Sequence, residues 1–199
     1  MSPEHRTRTS LCLAAAALVV EFSVSTAFAD ERDGNGKAYS TGLSGYSEVH
    51  FSAGPPAALR GAVSTNGTGR FKAEIDERSG AIDYELSYEG LEGSVTQAHI
   101  HFGQEHSVGG IVVWLCQTAG TPAPAAVAAL TPFCPPSGTV TGTITSAQVL
   151  GQTAQGIAAG DFDKVVRAIR AGAAYANVHT SLYPPGEIRG QLRKGGGHH

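Results

Sequence analysis

Short segments that alternate apolar and polar residues, separated by turn signals, are the feature that most limits the fold of this chain. In residues 81–88, the side chains of Ile82, Tyr84, Leu86 and Tyr88 fall on one side of an extended strand. Alternation with a period of two fits a strand with one buried face and does not fit a helix. The chain is therefore predicted to be built from short strands.

Nine such segments can be recognised, each bounded by turns that contain glycine, asparagine or proline. They are residues 46–51, 59–64, 69–76, 81–88, 97–102, 111–116, 139–144, 174–180 and 187–192. One helix is predicted after Asp161, where Val165 and Ile169 recur at helical spacing and Gly172 can end it. The pattern predicts an all-β fold: an antiparallel Greek-key β-sandwich or barrel with one short inserted helix.

The first 29 residues have the layout of an export signal. Arg6 and Arg8 supply the positive end, residues 11–20 form an apolar stretch, and Ala27 and Ala29 provide a cleavage site of small residues. Ten apolar residues are too few to span a bilayer, which needs about 20. We expect a secreted or periplasmic protein that does not insert into a membrane once the signal is removed.

The rest of the chain is predicted to contain one domain. Residues 30–44 are rich in glycine and are expected to form a flexible linker, residues 45–193 the β-sandwich domain, and residues 194–199 a flexible tail. The tail carries His198 and His199, which can bind metal adventitiously and are kept apart from any candidate site.

Charge and motifs narrow the class of function. The chain has 14 Lys and Arg against 17 Asp and Glu, so the basic patch expected of a nucleic-acid binder is missing. No nucleophile elbow, phosphate-binding loop, dinucleotide fingerprint or zinc-protease helix is found. A binding or structural role, with an extracellular protein or a small ligand as partner, is therefore favoured over an enzyme.

Cys116 and Cys134 are the two cysteines that remain after the predicted signal is removed. An even pair in an exported chain predicts a disulfide, because the compartment is oxidising. The alternative is a pair of free, buried thiols.

Two histidines alternate on the strand predicted at residues 97–102. His99 and His101 share one face, whereas Ile100 and Phe102 lie on the other and are expected to fill the core. The strand at 174–180 repeats this layout, with Asn177 and His179 on one face. If the two strands are neighbours, His99, His101 and His179 form a first shell for copper or zinc.

Three further residues are candidates for the surroundings of that site. Glu187 and Arg189 share a face of the last strand and are expected either to pair with each other or, for Glu187, to fix a histidine tautomer. Asn177 is placed with them as an outer partner. The alternative interpretation needs no metal: half-buried histidines hydrogen-bonded to backbone and carboxylates explain the same spacing. His50 and His106 are expected to be solvated, and Trp114 and the tyrosines to serve core packing.

Several motifs resemble those of the CHRD domain, a module named after chordin. They are AHIHFG at residues 98–103, GIVV at 110–113, GTVTG at 138–142, YANVHT at 175–180 and YPPGEIRGQL at 183–192. The resemblance extends over about residues 45 to 193, with residues 116–134 as an insertion. It implies a fold more firmly than an activity.

A more distant similarity links residues 90–103 to copper-zinc superoxide dismutases, in which a Gly-Leu turn precedes a His-x-His pair of copper ligands. That similarity implies His99 and His101 as ligands and Arg189 as a substrate-guiding residue, although no run of zinc-binding residues is found. Two hypotheses result. The favoured one is a secreted binding or structural module; the alternative is a mononuclear copper or zinc protein with superoxide-dismutase-like redox activity.

Overall fold

A computed structural model describes residues 37–51 and 59–195. The strands are β1 (Lys37–Ser44), β2 (His50–Phe51), β3 (Leu59–Gly61), β4 (Thr68–Asp76), β5 (Ala81–Glu89), β6 (Val95–Phe102), β7 (Gly110–Cys116), β8 (Gly138–Ile144), β9 (Ala174–Thr180), β10 (Ile188–Gln191) and β11 (Arg193–Lys194). The helices are α1 (Ala125–Ala128) and α2 (Phe162–Arg170). Within this part of the chain, no helix is long and apolar enough to cross a membrane.

Nine of the strands form one antiparallel sheet in the order β7-β6-β9-β10-β1-β4-β5-β8, with β11 also paired to β1. The sheet curls around its core and is nearly closed, so that Tyr84 on β5 donates a hydrogen bond to the Leu115 carbonyl on β7 over 2.6 Å. Strands β2 and β3 form a separate pair. The predicted all-β antiparallel fold with one inserted helix is confirmed.

The core follows the alternation seen in the sequence. Ile82 and Leu86 of β5 are fully buried, and Ile100 of β6 joins the same cluster from the other half of the sheet. Helix α2 buries Val165 and Ile169 against it, while its charged residues stay outside. One continuous hydrophobic core therefore holds the sheet and α2 together.

The linker prediction is wrong where it overlaps β1. Residues 37–44 form the strand that joins β10 to β4, and Tyr39 and Leu43 are buried in the core. The few apolar residues of this segment conceal its role, because its stability comes from backbone pairing on both sides. Residues 194 and 195, predicted as tail, also reach β1, where Gly195 N–H donates to the Ala38 carbonyl. The predicted export signal, residues 30–36 and residues 196–199 lie outside the described residues.

The insertion after β7 is closed by a disulfide between Cys116 and Cys134, as predicted. Inside it, the Gln117 side chain donates to the carbonyls of Ala128 and Thr131 and accepts from Ala123 N–H. Helix α1 lies in this segment and was not predicted. A buried glutamine with all of its hydrogen bonds to backbone replaces regular strand pairing there.

Candidate metal centre

The polar residues of β6 and β9 lie on the face of the sheet opposite the core. The two strands are antiparallel neighbours, with His99 opposite Asn177 and His101 opposite Tyr175. Their alternate residues, Ile100 among them, point into the core. The pleat therefore presents the histidines of both strands on one surface.

His99, His101 and His179 lie together on that face. One ring nitrogen from each comes within 4.8 Å of the others. The ring centres are 4.8 Å apart for His99 and His179, 5.4 Å for His99 and His101, and 5.9 Å for His101 and His179. Their exposed fractions are 0%, 7% and 5%, respectively, so the cluster is closed to solvent.

Backbone carbonyls fix the tautomers of two of these rings. His101 Nδ1 lies 3.0 Å from the Gly109 carbonyl, and His179 Nδ1 lies 2.9 Å from the Pro184 carbonyl. A carbonyl oxygen only accepts, so each Nδ1 carries the proton and each Nε2 presents a lone pair. Such outer hydrogen bonds are the usual support of histidine ligands to metals.

The ring of His99 contacts the ring of His179 directly. His99 Nδ1 lies 3.1 Å from His179 Nε2, and it donates its proton there because that Nε2 is an acceptor. The Nε2 atoms of His99 and His101 are buried and have no hydrogen-bond partner among the described residues. Two unpaired lone pairs therefore sit in a closed, polar cluster.

Burial keeps all three rings neutral. Desolvation lowers the pKa of His101 to about 3 and that of His179 to about 4, although the hydrogen bonds that the rings donate to the Gly109 and Pro184 carbonyls raise both pKa values. Desolvation, followed by the neighbouring imidazoles, holds the pKa of His99 well below its usual range. At neutral pH the cluster is a set of uncharged nitrogen donors.

Glu187 has a role different from those expected. Its carboxylate is buried and accepts hydrogen bonds from the Thr65 and Thr180 hydroxyls, each over 2.7 Å, and from the backbone of Glu92 and Gly93. Burial raises its pKa, but these four donors together hold the pKa below the usual range. Among the described contacts, Glu187 bonds neither to Arg189 nor to a histidine; it ties three loops to the end of β9.

Arg189 is also buried, with 2% of its surface exposed. Its guanidinium donates to the carbonyls of Ser107 and Gln104 and lies 3.4 Å above the ring of Tyr175. Tyr175 in turn stacks on His101, with ring centres 4.7 Å apart and planes 3° from parallel. Arg189 thus holds the β6–β7 loop over the histidines.

Asn177, the third predicted outer residue, bridges to a carboxylate that the sequence did not indicate. Its amide donates to Glu48 over 2.5 Å and to the Ile188 carbonyl over 3.0 Å. Burial raises the pKa of Glu48, although hydrogen bonds from Val49 and Asn177 oppose it. Glu48 follows a 3₁₀ turn at Gly45–Ser47 that occupies part of the strand predicted at 46–51.

Two aromatic residues were missed as parts of the site. Trp114 on β7 meets His99 edge to face, with ring centres 4.3 Å apart, and Tyr175 covers His101. The alternation already placed Tyr175 on the face of His179, whereas the contact of Trp114 depends on the pairing of β6 with β7. His106 is exposed, as expected, but His50 is half-buried with an unpartnered Nε2.

Comparison with protein families matches residues 39–192 to the CHRD domain. This chain belongs to the CHRD family. Neither the curated proteins nor the solved structures compared with this CHRD protein gave a match. The dismutase-like alternative is not favoured, because Arg189, its proposed guiding residue, is buried and engaged by loop carbonyls.

Proposed function

We propose that this CHRD domain binds one transition-metal ion, copper or zinc, through His99, His101 and His179. The observation that carries the proposal is a closed cluster of three neutral imidazoles in which His101 Nε2 lacks a partner and His99 Nδ1 and His179 Nε2 are 3.1 Å apart. Leaving a buried polar atom unpaired costs about 1 to 3 kcal/mol. Histidines that served only packing or hydrogen bonding would be more stable with a hydrogen-bond partner at each buried nitrogen, which would avoid this cost.

The spacing and chemistry of the donors fit such an ion. Two nitrogens bound at 2.0–2.1 Å to a tetrahedral zinc ion are about 3.3 Å apart. His99 Nδ1 and His179 Nε2 are already 3.1 Å apart. Imidazole nitrogen is a preferred ligand of zinc and copper, whereas calcium and magnesium require oxygen donors.

The setting of the proposed site is an exported module. The first 29 residues have the layout of an export signal, and the Cys116–Cys134 disulfide is compatible with an oxidising compartment. A disulfide and a nearly closed sheet support the rigid face on which the histidines lie. Rigidity favours metal binding because the ligands need little rearrangement.

The test uses the full chain with H198A and H199A, so that the terminal histidines do not contribute. Trp114 is the only tryptophan and lies against His99, which makes its fluorescence a local reporter. Titration with copper(II) should quench this emission at one equivalent, and elemental analysis after dialysis should find one copper or zinc ion per chain. His99→Ala and His179→Ala should lose both signals.

His106→Asn is the matched control. His106 is exposed and has a positive φ of 64°, a conformation that asparagine tolerates, so this variant removes a histidine without strain. It should bind like the parent protein. Circular dichroism confirms folding of each variant. A folded parent protein that retains neither metal, or binding that persists in both His99→Ala and His179→Ala, would overturn the proposal and leave the histidines as structural residues.

A further inference from the structure

The hydrogen bond between two of the candidate ligands has a consequence for metal binding. His179 Nδ1 donates to Pro184, so only its Nε2 can coordinate, and that Nε2 now accepts the proton on His99 Nδ1. The ion and this proton therefore compete for the same lone pair. One of the two rings must change when metal enters.

The packing shows which change is the smaller one. His99 is completely buried and is held between Trp114 at 4.3 Å and His179 at 4.8 Å, measured between ring centres. A half-turn of the ring exchanges Nδ1 with Cδ2, so it would place a carbon instead of a nitrogen opposite His179 Nε2. His99 Nδ1, in contrast, is already at nearly the ligand-to-ligand distance from His179 Nε2.

We propose, on the basis of the proposed function, that metal binding exchanges the tautomer of His99. The ion takes the place of the proton between His99 Nδ1 and His179 Nε2, and His99 becomes protonated on Nε2. The Nδ1 proton is released to solvent and Nε2 takes up another, so the ring stays neutral and no net proton is lost at this residue. His99 then binds through Nδ1, while His101 and His179 bind through Nε2.

Trp114 is the positioning residue in this scheme. Once protonated, His99 Nε2 becomes a buried donor, and it has no hydrogen-bond acceptor among the described residues. The indole of Trp114 lies in edge-to-face contact with His99, with ring centres 4.3 Å apart, and in this scheme its π surface accepts that N–H group weakly. Its role is to stabilise the tautomer that the metal requires.

The experiment is long-range ¹H–¹⁵N NMR of the histidine-labelled H198A/H199A protein, without metal and with zinc(II) or copper(I). The proton of His99 should move from Nδ1 to Nε2 on metal addition. His101 and His179 are internal controls and should keep the proton on Nδ1 in both forms, because their carbonyl partners do not change.

The two proposals fail in different ways. If zinc(II) or copper(I) shifts the rings but His99 keeps its Nδ1 proton and binds through Nε2, the tautomer exchange is wrong and the metal site stands. If none of the three rings responds to either ion, the metal site itself is wrong.

A variant pair tests the role of Trp114 separately. Trp114→Leu removes the π surface and should weaken zinc binding about tenfold, the effect of one lost partner for a buried donor. Trp114→Phe keeps an aromatic face and should stay within about threefold of the parent protein. Equal affinities for the two variants would refute the positioning role.

Discussion

Acidification should unfold the metal-free domain in a pH range set by its three buried histidines. The pKa values of His101 and His179 fall from 6.5 to about 3 and about 4, and that of His99 falls well below 6.5. Below pH 6.5 the unfolded chain therefore binds protons that the folded protein excludes. The contribution of the neutral histidines to the free energy of unfolding is fully present above that pH and is lost as the pH falls toward about 4.

The magnitude is large compared with the stability of a domain. At pH 5, each of the three histidines lowers the free energy of unfolding by about 2 kcal/mol, because its ordinary pKa lies about 1.5 above that pH. Together they lower it by about 6 kcal/mol. Domains of this size are stable by about 5 to 15 kcal/mol. Glu48 acts in the opposite direction, because its raised pKa lets the folded state take up a proton as the pH falls.

Urea unfolding between pH 7.5 and 5 with a chelator present measures this effect, with Trp114 fluorescence and circular dichroism as probes. His179→Gln should reduce the slope of unfolding free energy against pH by about one proton, or about 1.4 kcal/mol per pH unit at the acidic end. His106→Asn should leave the slope unchanged. A free energy that is flat over this range, or equal slopes for His179→Gln and the parent protein, would refute the burial argument.

Three further predictions concern the scaffold of the site. Replacing Cys116 and Cys134 by serine should lower stability by about 3 kcal/mol in thermal melts, because the bridge closes a segment with a sequence separation of 18 residues. Glu187→Gln should cost about 2 kcal/mol in urea unfolding at pH 7, and since the pKa of Glu187 is lowered, the difference from the parent protein should shrink as the pH falls below about 4.5. Gly186→Ala should destabilise by about 2 kcal/mol or more in the same assay, because φ is 138° and a Cβ would collide with the Glu48 carboxylate; an unchanged midpoint would contradict the described packing.

Local pattern was enough to predict the main strands and the faces of their residues. The order of apolar and polar residues in β5, β6 and β9 specifies which side of each strand faces the hydrophobic core, because successive side chains point to opposite faces. The same rule placed His99 with His101 and Asn177 with His179. It failed for β1, where backbone pairing to two neighbours replaces an apolar pattern.

Partners across strands and loops were beyond the reach of that rule. Glu187 and Arg189 are two positions apart, as in the predicted last strand, yet they have different partners. Glu187 accepts hydrogen bonds from Thr65, Thr180 and two backbone amides. Arg189 donates to carbonyls of the β6–β7 loop. Glu48 comes to Asn177 from 129 residues away. The alternation along a strand indicates which way a side chain points, but not which distant segment covers it.

The sequence by itself thus determined an all-β chain and histidines aimed away from the core, because these depend on neighbours along the strand. Only the tertiary structure decided that β6 and β9 lie side by side, which brings His179 to His99. It also decided that loops seal the cluster and that carbonyls of Gly109 and Pro184 set the tautomers. Those features depend on contacts between segments far apart in the chain, which pack together when the sheet curls around a common core.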